Sequence, residues 1–361
     1  MLICRIERFI NAIVRGEKRP HEKESTLTKD NVSMLPASSS TGNRYCCNSN
    51  HSATNEAITS QVLLERIGNR SRITNNDDSS CCEEAYYSSE DKGISHIRQS
   101  ETWDCGLACL QMIFQWLRTG DEEGTSGTTT SSSSSSSLEA EKAWMIKYVR
   151  TKSIWTIDLV MLLEYYSHNM TLEDDNDSVH HKQKVSYLFC STKFGVDESY
   201  NKLGYYKDSF SSDELRVKRL FARAVECKWS LLQTSQHVTL HTFVDVVSKQ
   251  GVVAIVLLDN RVLKGNSILQ QQTGRSSYSG HYVIVCGVSH NKNEVNYAQM
   301  NSPNNNSDCD RRQYDYCLVI KNPGIAKQVQ FITPSIFEKA WRAKGTDEDV
   351  IFIKRHNNPV L

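Results

Sequence analysis

The chain has 361 residues, a formal net charge of zero and 39% hydrophobic residues. This length allows one large domain or two smaller ones, and the balanced charge gives no support for a nucleic-acid partner or an anionic membrane surface. No run of eighteen apolar residues occurs, so the sequence predicts no transmembrane segment.

The twelve cysteines form no C-x-x-C pair and show no zinc spacing, and no secretory signal peptide is visible. Scattered cysteines in a long chain favour free thiols over a disulfide framework. We therefore expect a protein of the cytoplasm or nucleus that carries neither a metal nor a cofactor.

Residues 1–95 are largely polar and almost without periodicity, which predicts disorder. Residues 2–14 differ, because apolar residues recur there at helical spacing with arginines between them. This segment is interpreted as an amphipathic helix that targets an organelle or a membrane surface, as a short helix that docks on the domain, or as part of the disordered region. Glu7 weakens the targeting interpretation, since transit peptides are poor in acidic residues.

The next predicted elements in chain order are mainly helices. Apolar residues from Cys105 to Leu117 line one face of a helix, with Asp104 as its cap. A Ser/Thr-rich run at 119–137 follows, and we interpret it as a loop insertion within the domain. Further helices are predicted over 156–166, 211–225 and 239–249, with a strand over 185–190.

Strands dominate the second half of the chain. Continuous apolar runs of strand length occur at 252–258, 282–286, 316–320 and 350–353. A polar insert is predicted at 291–312 and a short helix at 334–342. Helices followed by strands indicate an α+β domain over 96–355, with N-terminal helices packed on a later antiparallel sheet.

Cys105 is a candidate nucleophile because it begins a predicted helix in WDCGLACL. The unpaired N–H groups and the dipole at a helix start favour negative charge, so the sequence predicts a lowered pKa for its thiol. The alternative is an ordinary buried thiol, which is the interpretation we give to Cys109 one turn further along the apolar face.

Three other residues are candidates for the same site. His281 directly precedes a buried strand in SGHYVIVCGV, where a base on a rigid strand end would activate a thiol. Asn322 ends the next strand in VIKNPG and would hold the imidazole in one tautomer, although Asn-Pro-Gly is also a good turn sequence. Gln99 would donate to an oxyanion. The order cysteine, histidine, asparagine is that of papain-like peptidases, so a papain-like cysteine peptidase fold is expected.

Two resemblances to known families support different activities. QSETWDCGLACLQMI resembles the nucleophile segment of bacteriocin-processing leader peptidases, GHYVIV resembles their histidine strand, and KNP stands where they carry Asp-Pro. A larger set of motifs, spanning about 99–353, is similar to the eukaryotic guanylyl cyclase domain-containing proteins: WDCGLAC, SIWTIDLVMLL, KFGVDESYNKLGYYKDSF, ELRVKRLFARA, VAIVLLDN, GHYVIVCG, KNP and GTDEDVIFI. The first resemblance implies a thiol peptidase, and the second implies conversion of GTP to cyclic GMP.

Cyclase chemistry needs a metal pair held by carboxylates and a cradle for the triphosphate. No Gly-rich phosphate loop of recognised form occurs, and the acidic candidates Asp347, Glu348 and Asp349 are also explained by a solvated turn. The sequence-based hypothesis is therefore a papain-like thiol hydrolase that acts on a peptide or acyl substrate, with Cys105 as nucleophile and His281 as base. A guanylyl cyclase and a non-catalytic interaction module are the alternatives.

Overall fold

The structure is a computed structural model, and it describes residues 58–68, 92–119, 135–169, 185–196, 210–234, 236–265, 278–302 and 314–355. These residues belong to one compact unit that spans 53–361. The amphipathic segment predicted at 2–14 and parts of both polar inserts lie outside the described residues.

Nine helices and seven strands are present in the described part of the chain. In chain order they are α1 (Ser60–Arg66), α2 (Cys105–Arg118), α3 (Ser135–Val149), α4 (Thr156–Asn169), β1 (Ser186–Ser191), α5 (Phe210–Glu226), β2 (Leu231–Gln233), α6 (Leu240–Val247), β3 (Val252–Asp259), α7 (Asn260–Leu263), β4 (Gly280–Ser289), α8 (Lys292–Met300), β5 (Cys317–Lys321), β6 (Gln330–Ile332), α9 (Pro334–Trp341) and β7 (Val350–Lys354). None of these helices combines the length and the apolar character that crossing a bilayer requires.

All seven strands join one sheet in the order β2-β1-β7-β3-β4-β5-β6. Every neighbouring pair is antiparallel except β1 and β2, which run parallel. The central strands β3, β7 and β4 are the long apolar runs of the sequence, and β3 is buried along its whole length. A strand that is covered on both faces is a continuous run of hydrophobic residues, and this pattern is why these strands could be predicted from the sequence.

Helices cover both faces of the sheet. The helices α2, α3, α4 and α5 pack on one face, where Phe114, Trp116 and Leu162 meet Ile284 and Ile351. The helices α1, α6 and α9 pack on the other face, around a cluster of Phe243, Phe337, Trp341 and Phe352. The α+β prediction is confirmed, and the helices predicted over 239–249 and 334–342 are α6 and α9. The sequence did not indicate that these two helices form a second layer, and it did not predict α3.

Two helices lie in segments that the sequence predicted to be polar and irregular. Helix α1 falls within residues 1–95, and it contributes Leu63, Leu64 and Ile67 to the second core. Helix α8 falls within the insert at 291–312, and it buries Val295 and Ala298 against β5. Two or three apolar residues hold each helix in place, which is too few to produce a periodic signal in a polar stretch.

The topology brings three element ends to one edge of the sheet. Because β4 and β5 are antiparallel neighbours, the start of β4 lies beside the end of β5. The start of α2 packs against β4 at the same edge, where Gly106 contacts Tyr282. His281, Asn322 and Cys105 stand at these three ends.

Candidate functional site

The centre of the site is a hydrogen bond between His281 and Asn322. The ring Nε2 of His281 lies 2.8 Å from the side-chain Oδ1 of Asn322, and both side chains are buried. An amide oxygen only accepts, so Nε2 carries the hydrogen and donates it to Asn322. The other ring nitrogen, Nδ1, is then left with a lone pair that can accept a proton.

Asn322 is held on several sides by its own contacts. Its Oδ1 also accepts from the backbone N–H of Gly324 at 2.9 Å, and its Nδ2 donates to Oε1 of Gln330 at 2.9 Å. Its backbone oxygen is 2.9 Å from Nε2 of His96. These contacts fix the amide plane and therefore fix the orientation of the His281 imidazole. Sequence reasoning found Asn322 but not Gln330, for which the sequence gives no signal.

Gly324 packs directly against the His281 ring. A Cβ atom at this position would stand 3.1 Å from Cε1 and 3.2 Å from Nε2 of the imidazole, and 3.2 Å from Oδ1 of Asn322. The Asn-Pro-Gly sequence thus places two residues next to the His281 ring: Asn322, whose amide orients the ring, and Gly324, which has no side chain to displace it. A sequence that is common in turns has a specific packing reason here.

The surroundings of His281 favour the uncharged form of its imidazole. Burial lowers the pKa of its imidazole below 6.5, and the positive charge of Lys264 lowers it further, against the opposing effect of the hydrogen bond to Asn322. A neutral imidazole with a fixed tautomer is equipped to accept a proton at Nδ1.

The Cys105 thiol lies at the first residue of α2, beside the β4 strand that carries His281. Its Sγ accepts from the backbone N–H of Tyr282 at 3.5 Å. Burial raises the pKa of Cys105 to about 11, and the charge of Asp104 raises it, while backbone N–H groups oppose the shift. The expectation of a lowered pKa is therefore wrong, because desolvation of the thiolate outweighs the helix start. Cys109 is a buried core thiol, as expected.

Asp104 occupies the cap position of α2 without capping it. Its carboxylate instead accepts from the backbone N–H of Glu101 at 3.1 Å and from the hydroxyl of Ser100 at 3.1 Å, and it forms an ion pair with Lys142. The negative charge therefore faces the loop before the helix and stays near Cys105.

Gln99 is tied to the Asn322 turn by its backbone, since its N–H donates to the carbonyl oxygen of Pro323 at 3.0 Å. Its side-chain Nε2 donates to the carbonyl oxygen of Glu101 at 2.6 Å, so the predicted oxyanion donor is already engaged. Its Oε1 is buried and has no hydrogen-bond partner among the described residues. Near the Asn322 turn, Gln99 therefore has an unsatisfied acceptor atom, whereas its expected donor is already bonded.

Comparison with known proteins decides between the two resemblances. A family model described as guanylylate cyclase matches residues 94–353, which is most of the chain. The chain belongs to the guanylylate cyclase family. A relative named guanylyl cyclase 1, from Arabidopsis thaliana, is 25% identical over 276 residues, which cover 75% of this chain and 78% of the relative. No solved structure matches the chain.

The family assignment overturns the sequence-based hypothesis of a papain-like thiol hydrolase or peptidase. The matching family is described as guanylylate cyclase, and the relative is named guanylyl cyclase 1. The order of Cys105, His281 and Asn322 along the chain did not identify the reaction, because a fold and its side chains can serve unrelated chemistries. The raised pKa of Cys105 agrees with this correction, since a neutral thiol is a weak nucleophile.

The guanylylate cyclase family implies divalent metal chemistry, and the acidic turn after α9 is the place to test for ligands. Glu348 contacts Nδ1 of His237 at 2.5 Å and lies 3.6 Å from Arg342. Asp349 accepts from the hydroxyl of Thr156, and burial together with the charge of Asp347 raises its pKa to about 8. The segment is a turn, with Asp347 and Glu348 at positive φ, and its side chains are half-buried and hydrogen-bonded rather than fully solvated.

These residues do not form a complete metal site by themselves. Within the described ranges, no group of three or more His, Cys, Asp or Glu side chains is placed to hold a metal ion.

The raised pKa of Cys105 leads to a direct prediction about alkylation. Iodoacetamide is expected to modify Cys105 far more slowly than the exposed Cys227 at pH 7.5, because only the thiolate reacts and the Cys105 thiol is buried. Labelling of the two peptides is followed by mass spectrometry in one sample, so Cys227 is the internal control. Faster labelling of Cys105 at pH 6–7 would contradict the buried neutral thiol.

Proposed function

We propose that this chain is a guanylyl cyclase that converts GTP to cyclic GMP and pyrophosphate. The observation that carries the proposal is the match of the guanylylate cyclase family model to residues 94–353. The Arabidopsis relative named guanylyl cyclase 1 supports it over three quarters of the chain.

In the proposed reaction, the 3′-oxygen of the ribose bonds to the α-phosphorus while the bond from that phosphorus to pyrophosphate breaks. The proton of the 3′-hydroxyl passes to Nδ1 of His281, which the hydrogen bond to Asn322 leaves unprotonated. Asn322 holds the ring in this tautomer and stabilises the imidazolium that forms. Gln99 and Cys105 are proposed to line the site, Gln99 as an acceptor through Oε1 and Cys105 as a neutral thiol.

We further propose that the domain is papain-like in architecture and that this architecture serves nucleotide chemistry here. The helix that begins at Cys105, the strand that begins beside His281 and the strand that ends before Asn322 support this proposal. Catalysis of phosphoryl chemistry relies on positioning and charge more than on a covalent nucleophile, which is consistent with an uncharged Cys105. The free thiols of the described residues support the expected cytoplasmic or nuclear compartment.

The direct test is product analysis with the full chain. Purified protein is incubated with GTP and Mg²⁺, and cyclic GMP and pyrophosphate are quantified by liquid chromatography with mass spectrometry. We expect equimolar cyclic GMP and pyrophosphate, no product when EDTA removes the cation, and a lower rate with ATP. Formation of GDP or GMP alone would show a hydrolase of nucleotides, and the absence of every product would refute the proposal.

A further inference from the structure

A cavity lies beside Gln330, the residue that accepts a hydrogen bond from the side chain of Asn322. It has a volume of about 210 Å³ and is lined by side chains from α7, α8, β6, α9 and the turn after Asn322. Its walls are partly apolar, with Ile325, Phe331 and Ile336, and its rim carries Tyr297, which is 43% exposed. A concave site with apolar walls and a few polar groups is the usual form of a small-molecule pocket.

Gln330 connects this cavity to the catalytic pair. It lines the cavity, and its Oε1 accepts from Nδ2 of Asn322 at 2.9 Å. Because Oε1 faces Asn322, the Nε2 group of Gln330 is the part of the amide that remains to donate to an occupant. Lys327 adds a positive charge at the same rim, with its ammonium 4.0 Å from the centre of the Tyr297 ring.

The size of the cavity limits what can occupy it. Pockets that enclose a whole drug-sized ligand measure about 300–1,000 Å³, so a cavity of about 210 Å³ holds one ring system and not an entire nucleotide. An aromatic rim, apolar walls and an amide donor suit a planar heterocycle that carries a carbonyl oxygen.

We propose that this cavity receives the guanine base of GTP, with Nε2 of Gln330 donating to the guanine O6. This inference rests on the proposed cyclase function and adds the base-recognition site to it. Gln330 then acts as a positioning residue, because its other amide atom fixes Asn322, and Asn322 fixes His281. Correct base binding and correct orientation of the catalytic imidazole are therefore coupled through one side chain. Adenine carries an amino group where guanine has O6. This amino group is a donor, so it would face the Nε2 donor of Gln330 and could not accept its hydrogen bond.

The test is a switch of base preference. Gln330→Glu keeps an oxygen to accept from Asn322 but replaces the donor to O6 with an acceptor that suits the adenine amino group. Equilibrium binding of fluorescent mant-GTP and mant-ATP, each with Mg²⁺, is measured for the wild type and for Gln330→Glu. The matched control is Gln299→Glu, which introduces the same charge change on α8 at a residue that does not line the cavity. We expect Gln330→Glu to weaken mant-GTP binding about tenfold or more and to shift the GTP-to-ATP affinity ratio by at least as much. The control is expected to keep the wild-type ratio.

A second variant keeps the test independent of the folding of Gln330→Glu. Ser302→Trp places a large side chain at the cavity rim without changing Asn322 or Gln330, and it is expected to abolish mant-GTP binding. Wild-type mant-GTP affinity in both variants, or an equal loss for both nucleotides in Gln330→Glu, would overturn the base site even if cyclic GMP is formed. Base-selective binding that responds to both variants, without any cyclic GMP formation, would support the base site and refute the proposed cyclase activity.

Discussion

Replacing His281 with alanine is expected to lower the rate of cyclic GMP formation by about 10²–10⁴-fold, which is the usual contribution of a positioned general base. The variant removes the group to which the proposed reaction transfers the 3′-hydroxyl proton. Initial rates are measured at saturating GTP, and the fold is checked by circular dichroism and thermal unfolding. Because burial lowers the pKa of His281 below 6.5, the acid limb of the wild-type rate profile is expected below pH 6.5.

Two controls separate a chemical role of His281 from a structural one. His241→Ala removes a histidine whose side chain is 86% exposed on α6, and it is expected to keep the wild-type rate. Added imidazole is expected to restore part of the rate of His281→Ala, since it can take the place of the missing ring. An unchanged rate in His281→Ala, or a pH profile that stays the same, would remove His281 from the mechanism.

Replacing Asp349 with asparagine is expected to change how stability depends on pH. The pKa of Asp349 is about 8 in the folded protein against an ordinary value of 3.8, so the folded state holds a proton that the unfolded chain releases. The wild type therefore loses stability as the pH rises from about 4 to about 8. An asparagine side chain cannot ionise, so the Asp349→Asn variant escapes this loss while its amide oxygen can still accept from Thr156.

The difference in unfolding free energy between Asp349→Asn and the wild type is expected to grow by up to about 4 kcal/mol from pH 5 to pH 9, in favour of the variant. It is measured by urea unfolding in the presence of EDTA, so that a bound cation does not alter the titration. Asp315→Asn, at an exposed position, is the matched control and is expected to show no such trend. Parallel pH curves for the wild type and Asp349→Asn would show that the carboxyl group ionises normally in the folded state.

The central fold was predictable from the sequence because its strands are buried on both faces. The runs at 252–258, 282–286 and 350–353 became β3, β4 and β7, which are continuous in hydrophobicity and rich in β-branched residues. The short edge strands β2 and β6 have three residues each and mostly half-buried side chains, so no local pattern marks them. Helix α1 depends on contacts with distant elements, which a local pattern does not contain.

The positions of some site residues could also be predicted from the sequence, but the pKa values of their side chains could not. The strand-end positions of His281 and Asn322 followed from hydrophobic runs that stop at a polar residue, and the structure places the two side chains in contact. The pKa of Cys105 could not be deduced, because it depends on how completely β4 and α4 cover the start of α2. The same limit applies to Asp349, because its pKa is raised mainly by burial and further by the charge of Asp347, and the burial exists only after folding.

The contact between Gly324 and the His281 ring restricts which residues this position can carry. Alanine would already bring a methyl group to within 3.1–3.2 Å of the imidazole, closer than most Cβ atoms approach other atoms, and larger residues would push the ring away from Asn322. An alanine at this position would require the ring to shift by a few tenths of an ångström, and a larger side chain would require more. The absence of a side chain at Gly324 therefore helps to keep the His281 ring in its hydrogen bond with Asn322.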